Sequence, residues 1–347
     1  MTISDKELGA FDATRRQMIR WFGTASVMAG GLALLEGCKD DVVGSENAPT
    51  PTPTSTGTAT GSQSGPPAYT ATDNDRLNFV LQVHYLYGAY LVRGLNGGTL
   101  PATLTTGTGT AGSVSGGQAV SFTDPMTQAA VNEIANAVIG RIGFLRRTLG
   151  SAATAQPAIN IAGGQNGPFD AIARVPSTTA PTTYFNPYAS QDEFLLGAVA
   201  LSSVATTTAK DQGYQVSTSM AGPVAALAAG AGASDGVIRN ALYQRSILQK
   251  RSLPETEILF ERSWRMAEAR NRLDGPRDLD HGIGWFDGSE NFGSRIVLRD
   301  GSNWIALGRT PEEALGILYA NGASVASGGF FPNGVNGLIK TSGINVG

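Results

Sequence analysis

The sequence predicts an all-α body, a bundle of four long helices joined by long crossovers and followed by a turn-rich C-terminal extension. Three observations carry this expectation. Apolar residues recur at helical spacing in four stretches between Thr72 and Lys250. Capping residues and glycine stops bracket those stretches. Strands do not alternate with helices in the pattern, as a parallel sheet would require.

The first helix opens at Thr72 or Asp73, and Leu77, Val80, Leu81, His84, Leu86 and Leu91 form its broad apolar stripe. It ends at Gly94 or Gly97, so roughly 23 residues at about 1.5 Å each give a rod of about 34 Å, which is bundle length. A Gly/Thr/Ser loop, Thr99 to Phe122, follows, with short strands expected in Ser113–Phe122. Thr123 or Asp124 caps the second helix and Pro125 takes its first position. Ile134, Val138, Ile142 and Leu145 face inward before a stop at Gly150.

A second loop leads to Tyr184-Phe185-Asn186-Pro187-Tyr188. Ser190 then caps a third helix, Gln191 to about Lys210, with Phe194, Leu195, Ala198, Leu201 and Ala205 inward. The fourth helix, Ser219 to Lys250, is dense in alanine. A fifth, Glu255 to Arg272, is charged and amphipathic, with Ile258, Leu259, Trp264 and Met266 as its apolar residues. Gly282 to Asn303 is turn-rich and aromatic, and Thr310-Pro311-Glu312-Glu313 is a capping-box start for one more short helix.

The N-terminal 71 residues have a different character. Residues 1–38 read as an export signal: Thr14-Arg15-Arg16-Gln17-Met18-Ile19-Arg20 resembles the twin-arginine pattern, and an uncharged apolar run, Trp21 to Leu35, follows. That run is shorter than the roughly 20 residues of a stable spanning helix. It ends in Leu35-Glu36-Gly37-Cys38, which resembles the lipobox of bacterial lipoproteins, with Glu36 as a departure. Cys38 is thus expected to be lipidated and to anchor the chain without a spanning helix. Residues 39–71 are rich in Pro, Thr, Ser and Gly and form an extended tether, leaving residues 72–347 as the folded body. The expected location is the periplasm or cell envelope. Lys39 after the cysteine points to the outer membrane where the host has one.

Composition excludes two classes. The net charge is −3 and spread along the chain, so no basic face serves nucleic acid. One cysteine among 347 residues rules out a disulfide within the chain. Two motif matches also fall away. Gly232-Ala233-Ser234-Asp235-Gly236 fits G-x-S-x-G, with Asp280-His281 downstream, so a serine hydrolase acting through Ser234 is the remote alternative. The elbow needs a strand before the serine, whereas Val224 to Ala231 is helix-prone. Gly230-x-Gly232-x-x-x-Gly236 fails as a dinucleotide loop for the same reason.

Several segments, in order, resemble the exported ferritin-like proteins, the group that includes desiccation-related proteins. They are Asp75-Arg76-Leu77-Asn78-Phe79-Val80-Leu81, Gly143-Phe144-Leu145-Arg146, Phe194-Leu195-Leu196-Gly197-Ala198 and Gly236 through Gln244. Arg309-Thr310-Pro311, Ile317-Leu318-Tyr319 and Gly328-Gly329-Phe330-Phe331-Pro332-Asn333-Gly334 continue the likeness. The resemblance implies a ferritin-like four-helix bundle. In that family four helices point carboxylates and E-x-x-H pairs at a central di-iron site.

Carried across residue by residue, those positions fall on His84 or Tyr87, on Val138 and Arg141, near Ser202 or Ser203, and on Ala231 and Ser234. An arginine and aliphatic side chains in place of ligands exclude a dication. Glu133 and Glu193 sit near helix starts, where acids complement the helix dipole and face water. His84 reads as a satisfied core histidine. The expectation is a ferritin-like scaffold with a degenerate metal site: no catalytic, cofactor-binding or metal residues, no cofactor, and a structural or binding role at the membrane with a protein partner or a second copy. The alternative is a di-iron or iron-handling oxidoreductase of the same class.

Overall fold

Helix boundaries follow from local capping chemistry. The computed structural model describes residues 70–174, 183–252, 259–286, 292–300 and 303–344. Arg15, Arg16, Cys38 and the tether lie outside the described residues, as does the expected fifth-helix start at Glu255. Helix α1, Asp73–Asn96, opens on a capping box in which the Thr72 amide donates to Asp75 Oδ2 at 2.9 Å, and Gly97 closes it at φ 72°. That left-handed backbone suits glycine. Helix α2, Pro125–Leu149, is capped by Asp124, whose carboxylate accepts from the Met126 and Thr127 amides. Ser190 caps α4, Gln191–Gln215, which runs past the expected end near Lys210. Helix α5 spans Thr218–Ser252, α6 Leu259–Asn271 and α7 Pro311–Leu318, the last with the expected Thr310/Glu313 capping box. Between α2 and α4 lies a helix not expected from sequence, α3, Pro168–Ala173.

Side-chain meetings give the directions of the four long helices. Tyr85 meets Arg146 whereas Gly88 abuts Val138 and Ile142, so α1 and α2 are antiparallel. Arg76 reaches Gln212 at 3.3 Å and the Tyr90 hydroxyl donates to the Phe194 carbonyl at 2.7 Å, so α1 is antiparallel to α4 as well. Gly213 lies by Val224 and Ser202 by Asp235, which sets α4 against α5 in opposite directions. Helices α2 and α4 therefore run the same way, and only a long crossover can join them. Ferritin-like bundles have one such connection. Here it is residues 150–190, and it is tied down by parallel pairing of β1, Val114–Ser115, with β2, Ile159–Asn160.

Helix α1 is buried on every face from Leu77 to Val92, as the central rod of a bundle must be. At one end its Tyr90 ring stacks on Phe194 with centroids 4.6 Å apart. The close approach needs Gly94: a Cβ there would stand 2.0 Å from the Phe194 ring. One expectation fails on α6. Trp264 is 53% exposed, because the buried stripe runs through Leu259, Phe260, Ser263, Met266 and Arg270 and leaves position 264 just outside it. The turn-rich segment contains an antiparallel hairpin, β3 Gly284–Phe286 with β4 Phe292–Ser294.

Candidate functional site at the bundle centre

The positions where the family resemblance would place metal ligands do meet at the centre of the bundle. From α1 come His84 and Tyr87, both fully buried. The His84 Nδ1 lies 2.9 Å from the Val80 carbonyl, an acceptor, so this nitrogen carries the proton. Its Nε2 lone pair has no partner, which corrects the expectation of a fully satisfied core histidine. Burial first, and then the charge of Arg141, push the His84 pKa down to about 4, so the ring is neutral at pH 7. The Tyr87 hydroxyl lies near Ser202 without a hydrogen bond of normal geometry, and burial holds its pKa far above the ordinary tyrosine range.

From α2, Val138 contributes only aliphatic surface, and Arg141 extends across to α5. Its guanidinium donates to the Gly230 carbonyl at 2.7 Å and to the Ser234 hydroxyl. Ser234 donates in turn to Gly230 O at 3.1 Å, as a mid-helix serine does. The hydrolase alternative fails on this geometry. Ser234 lies inside a helix rather than on a strand-to-helix elbow, and its hydroxyl is engaged by a guanidinium rather than an imidazole. Ala231 is a small buried residue one turn away.

The residue that organises the centre is Asp235, which the ligand positions had passed over in favour of Ser234. Its carboxylate is 1% exposed. One oxygen accepts the Ser202 hydroxyl from α4 and the other accepts Arg239 Nε at 2.9 Å. Arg239 is fully buried, and five hydrogen bonds occupy its five N–H groups. These run to Asp235, to Ser203 Oγ at 3.1 Å, and to the carbonyls of His281, Gly282 and Arg295 at 3.0, 3.2 and 3.2 Å. The sequence signal was available: Asp235 and Arg239 are an i, i+4 acid–base pair just after a run of alanine and glycine.

A second buried ionic group lies between α4 and the C-terminal segment. Arg309 donates to Asp274 Oδ2 at 2.6 and 2.9 Å, to Asp280 Oδ2 at 2.7 Å and to Thr207 Oγ1 at 2.8 Å. Arg270 holds the other Asp280 oxygen at 2.9 Å. Burial pushes Asp274 up to about 7, against the pull of Arg309. Asp280 stays below the usual carboxylate range because Arg270 and Arg309 outweigh its burial. Of the two helix-start acids, Glu133 is exposed as expected. Glu193 differs: it is half-buried in a bidentate pair with Arg262, both contacts at 2.5 Å.

This donor set does not fit a di-iron centre. Such a centre needs several anionic oxygens and imidazoles around open positions. Here the centre offers one imidazole lone pair, one tyrosine hydroxyl, one carboxylate with both oxygens already engaged, and the two guanidinium groups of Arg141 and Arg239. Among the described residues, no group of three or more His, Cys, Asp or Glu is close enough to hold a metal ion.

A bundle of four helices with one long crossover and a polar cluster at its centre belongs to the ferritin-like class. A sequence profile of the ferritin-like domain matches residues 72–244. The chain is also 30% identical over 223 residues to the ferritin-like catalase Nec2 of Nesocodon mauritianus, a match covering 62% of this chain and 68% of that protein. No solved structure gives a significant match. The chain is a member of the ferritin-like domain family.

Proposed function

We propose that this chain is a non-catalytic ferritin-like protein of the cell envelope, exported through Arg15-Arg16, anchored by lipid at Cys38 and acting in a structural or binding role. One observation carries the non-catalytic reading. The Arg141 guanidinium is half-buried beside the bundle centre, bonded to Ser234 and close enough to lower the pKa of His84. A fixed positive charge in a low-dielectric interior opposes a dication at the same place. Lipid at Cys38 and the Pro/Thr-rich tether would hold the body off the membrane and leave its surface open to a partner.

A second reading follows from the relative named a ferritin-like catalase and from the free Nε2 lone pair of His84. It is a metal-dependent redox protein of the same class. Metal analysis of the purified full-length protein, together with dioxygen release from hydrogen peroxide, separates the two. The non-catalytic reading expects substoichiometric metal and no dioxygen above the buffer rate. About two transition-metal ions per chain with peroxide turnover would replace it. The anchoring reading is tested by fractionating cells that carry Cys38→Ala. The variant is expected in the soluble fraction, and unchanged membrane association would refute lipidation there.

A further inference from the structure

Outside the bundle, the segment after β4 pairs with the chain near Ile283, where the Arg295 amide donates to the Ile283 carbonyl at 2.7 Å, and lines an open cleft of about 610 Å³. That volume falls in the range of small-ligand sites. It is lined by His281, Arg295, Arg299 and Trp304, together with Asp278 and Val297. The walls are held from below: buried Arg239 bonds the carbonyls of His281 and Arg295 at the same time, fixing the spacing between the two sides. Above them, the Arg299 guanidinium lies 3.5 Å from the Trp304 ring centroid and the indole is 66% exposed.

Trp304 stands out in its backbone as well as its exposure. It adopts φ 59°, a left-handed conformation that a bulky residue occupies only at a cost. The turn around it enforces this. Asp300 Oδ1 accepts the Asn303 amide at 2.7 Å, and the Asp300 amide donates to the Ile305 carbonyl at 2.9 Å. Core packing does not explain a strained, solvent-facing tryptophan. A platform for a ring does. One indole face carries Arg299, and exposed Val297 and Ile305 extend the apolar surface.

We propose that this cleft binds a carboxylate borne on a six-membered ring with a face that can stack on an indole, the chemistry shared by an acidic sugar (through its C–H face) and an aromatic acid. The ring would stack on Trp304 and the carboxylate would meet Arg295, which is exposed on the facing wall. Planar bidentate pairing with a carboxylate and stacking on an aromatic face are the two recognition modes these residues serve best. His281, which burial keeps neutral, adds a hydrogen bond rather than a charge. Asp278 is drawn aside by Asn271 Nδ2 at 2.9 Å.

The test uses the full-length protein and calorimetric titration with digalacturonate, benzoate and neutral cellobiose as probes. Saturable binding of at least one acid, with cellobiose at least tenfold weaker, is expected. Arg295→Ala and Trp304→Ala should each weaken that binding tenfold or more. Digalacturonate alone would mark the source as an acidic glycan, and benzoate alone would mark it as an aromatic acid. Trp304→Gly separates a ligand platform from a packing role, because glycine adopts a positive φ without strain. It should abolish binding while leaving the melting temperature equal or higher. Absence of saturable acid binding, equal affinity in the variants, or a fall in melting temperature for Trp304→Gly would each overturn the proposal.

Discussion

Asp235→Ala tests whether the centre of the bundle is a closed ionic network. The substitution removes an acceptor from Ser202 and, among the described residues, the only carboxylate bonded to Arg239, which is fully buried. Arg239 retains four bonds to neutral oxygens but loses its countercharge. Breaking a buried pair by deleting one partner costs about 3–5 kcal/mol, mostly from the charge left behind. For a body of this size each kcal/mol lowers the melting temperature by about 2–4 °C, so a fall of roughly 6–20 °C is expected. Asp235→Asn is the informative companion. An amide can turn its oxygen to Arg239 and its nitrogen to the Ser202 hydroxyl, which both donates and accepts. Its cost should be smaller, about 1–3 kcal/mol. Urea unfolding followed by circular dichroism gives both values. If Asp235→Ala costs less than about 1 kcal/mol, Arg239 is not held as described and the argument against a metal centre weakens with it.

Two buried groups should shape the pH dependence in opposite directions. His84 has a folded pKa of about 4 against an ordinary 6.5, so the unfolded chain takes up the proton first. Its contribution, on the order of 3 kcal/mol, is present above pH 6.5 and lost as pH falls toward 4. Asp274, raised to about 7, contributes stability that is full below pH 3.8 and lost as pH rises through 7. Denaturation midpoints from pH 4 to 8 should slope upward with pH in Asp274→Asn and downward in His84→Gln; two flat profiles would refute both assignments. Gly94→Ala drives a methyl group into the Phe194 ring and should cost about 1–3 kcal/mol by thermal denaturation. Val138→Asp buries an acid and should cost several kcal/mol, on the order of the penalty for an isolated charge. Adding Arg141→Ala removes the base one turn away and should deepen the loss, whereas a double variant that folds and takes up iron would restore the metal reading.

The parts of the fold legible in the sequence are those governed by neighbours along the chain. Thr72, Asp124, Ser190 and Thr310 each cap the helix that their local pattern announced, because a cap involves only the next three residues. Helix α3 was missed since its six residues are too few to show a period within a Gly/Pro-rich stretch. Trp264 was placed inward by its chemistry although its position lies off the buried stripe. At the site, the positions where the resemblance would place ligands were readable one by one, but the partners that their side chains find were not. Arg309 meets Asp274 across 35 residues and Thr207 across 102, separations that no periodicity encodes. Asp235 was visible but overshadowed by the serine beside it.

The network around Arg239 also bears on where this chain can be cut. The ferritin-like domain profile stops at residue 244, yet three of the five Arg239 bonds end on carbonyls at 281, 282 and 295. Arg309, further on, reaches back to Thr207 in α4. A fragment truncated after α5 would keep all four long helices and still leave a guanidinium facing an interior with most of its acceptors gone. The stretch that the domain profile outlines and the stretch that the buried ion pairs tie together are therefore different lengths. Grafting this bundle onto another protein would require carrying the chain through Arg309, well past the last helix that gives the family its name.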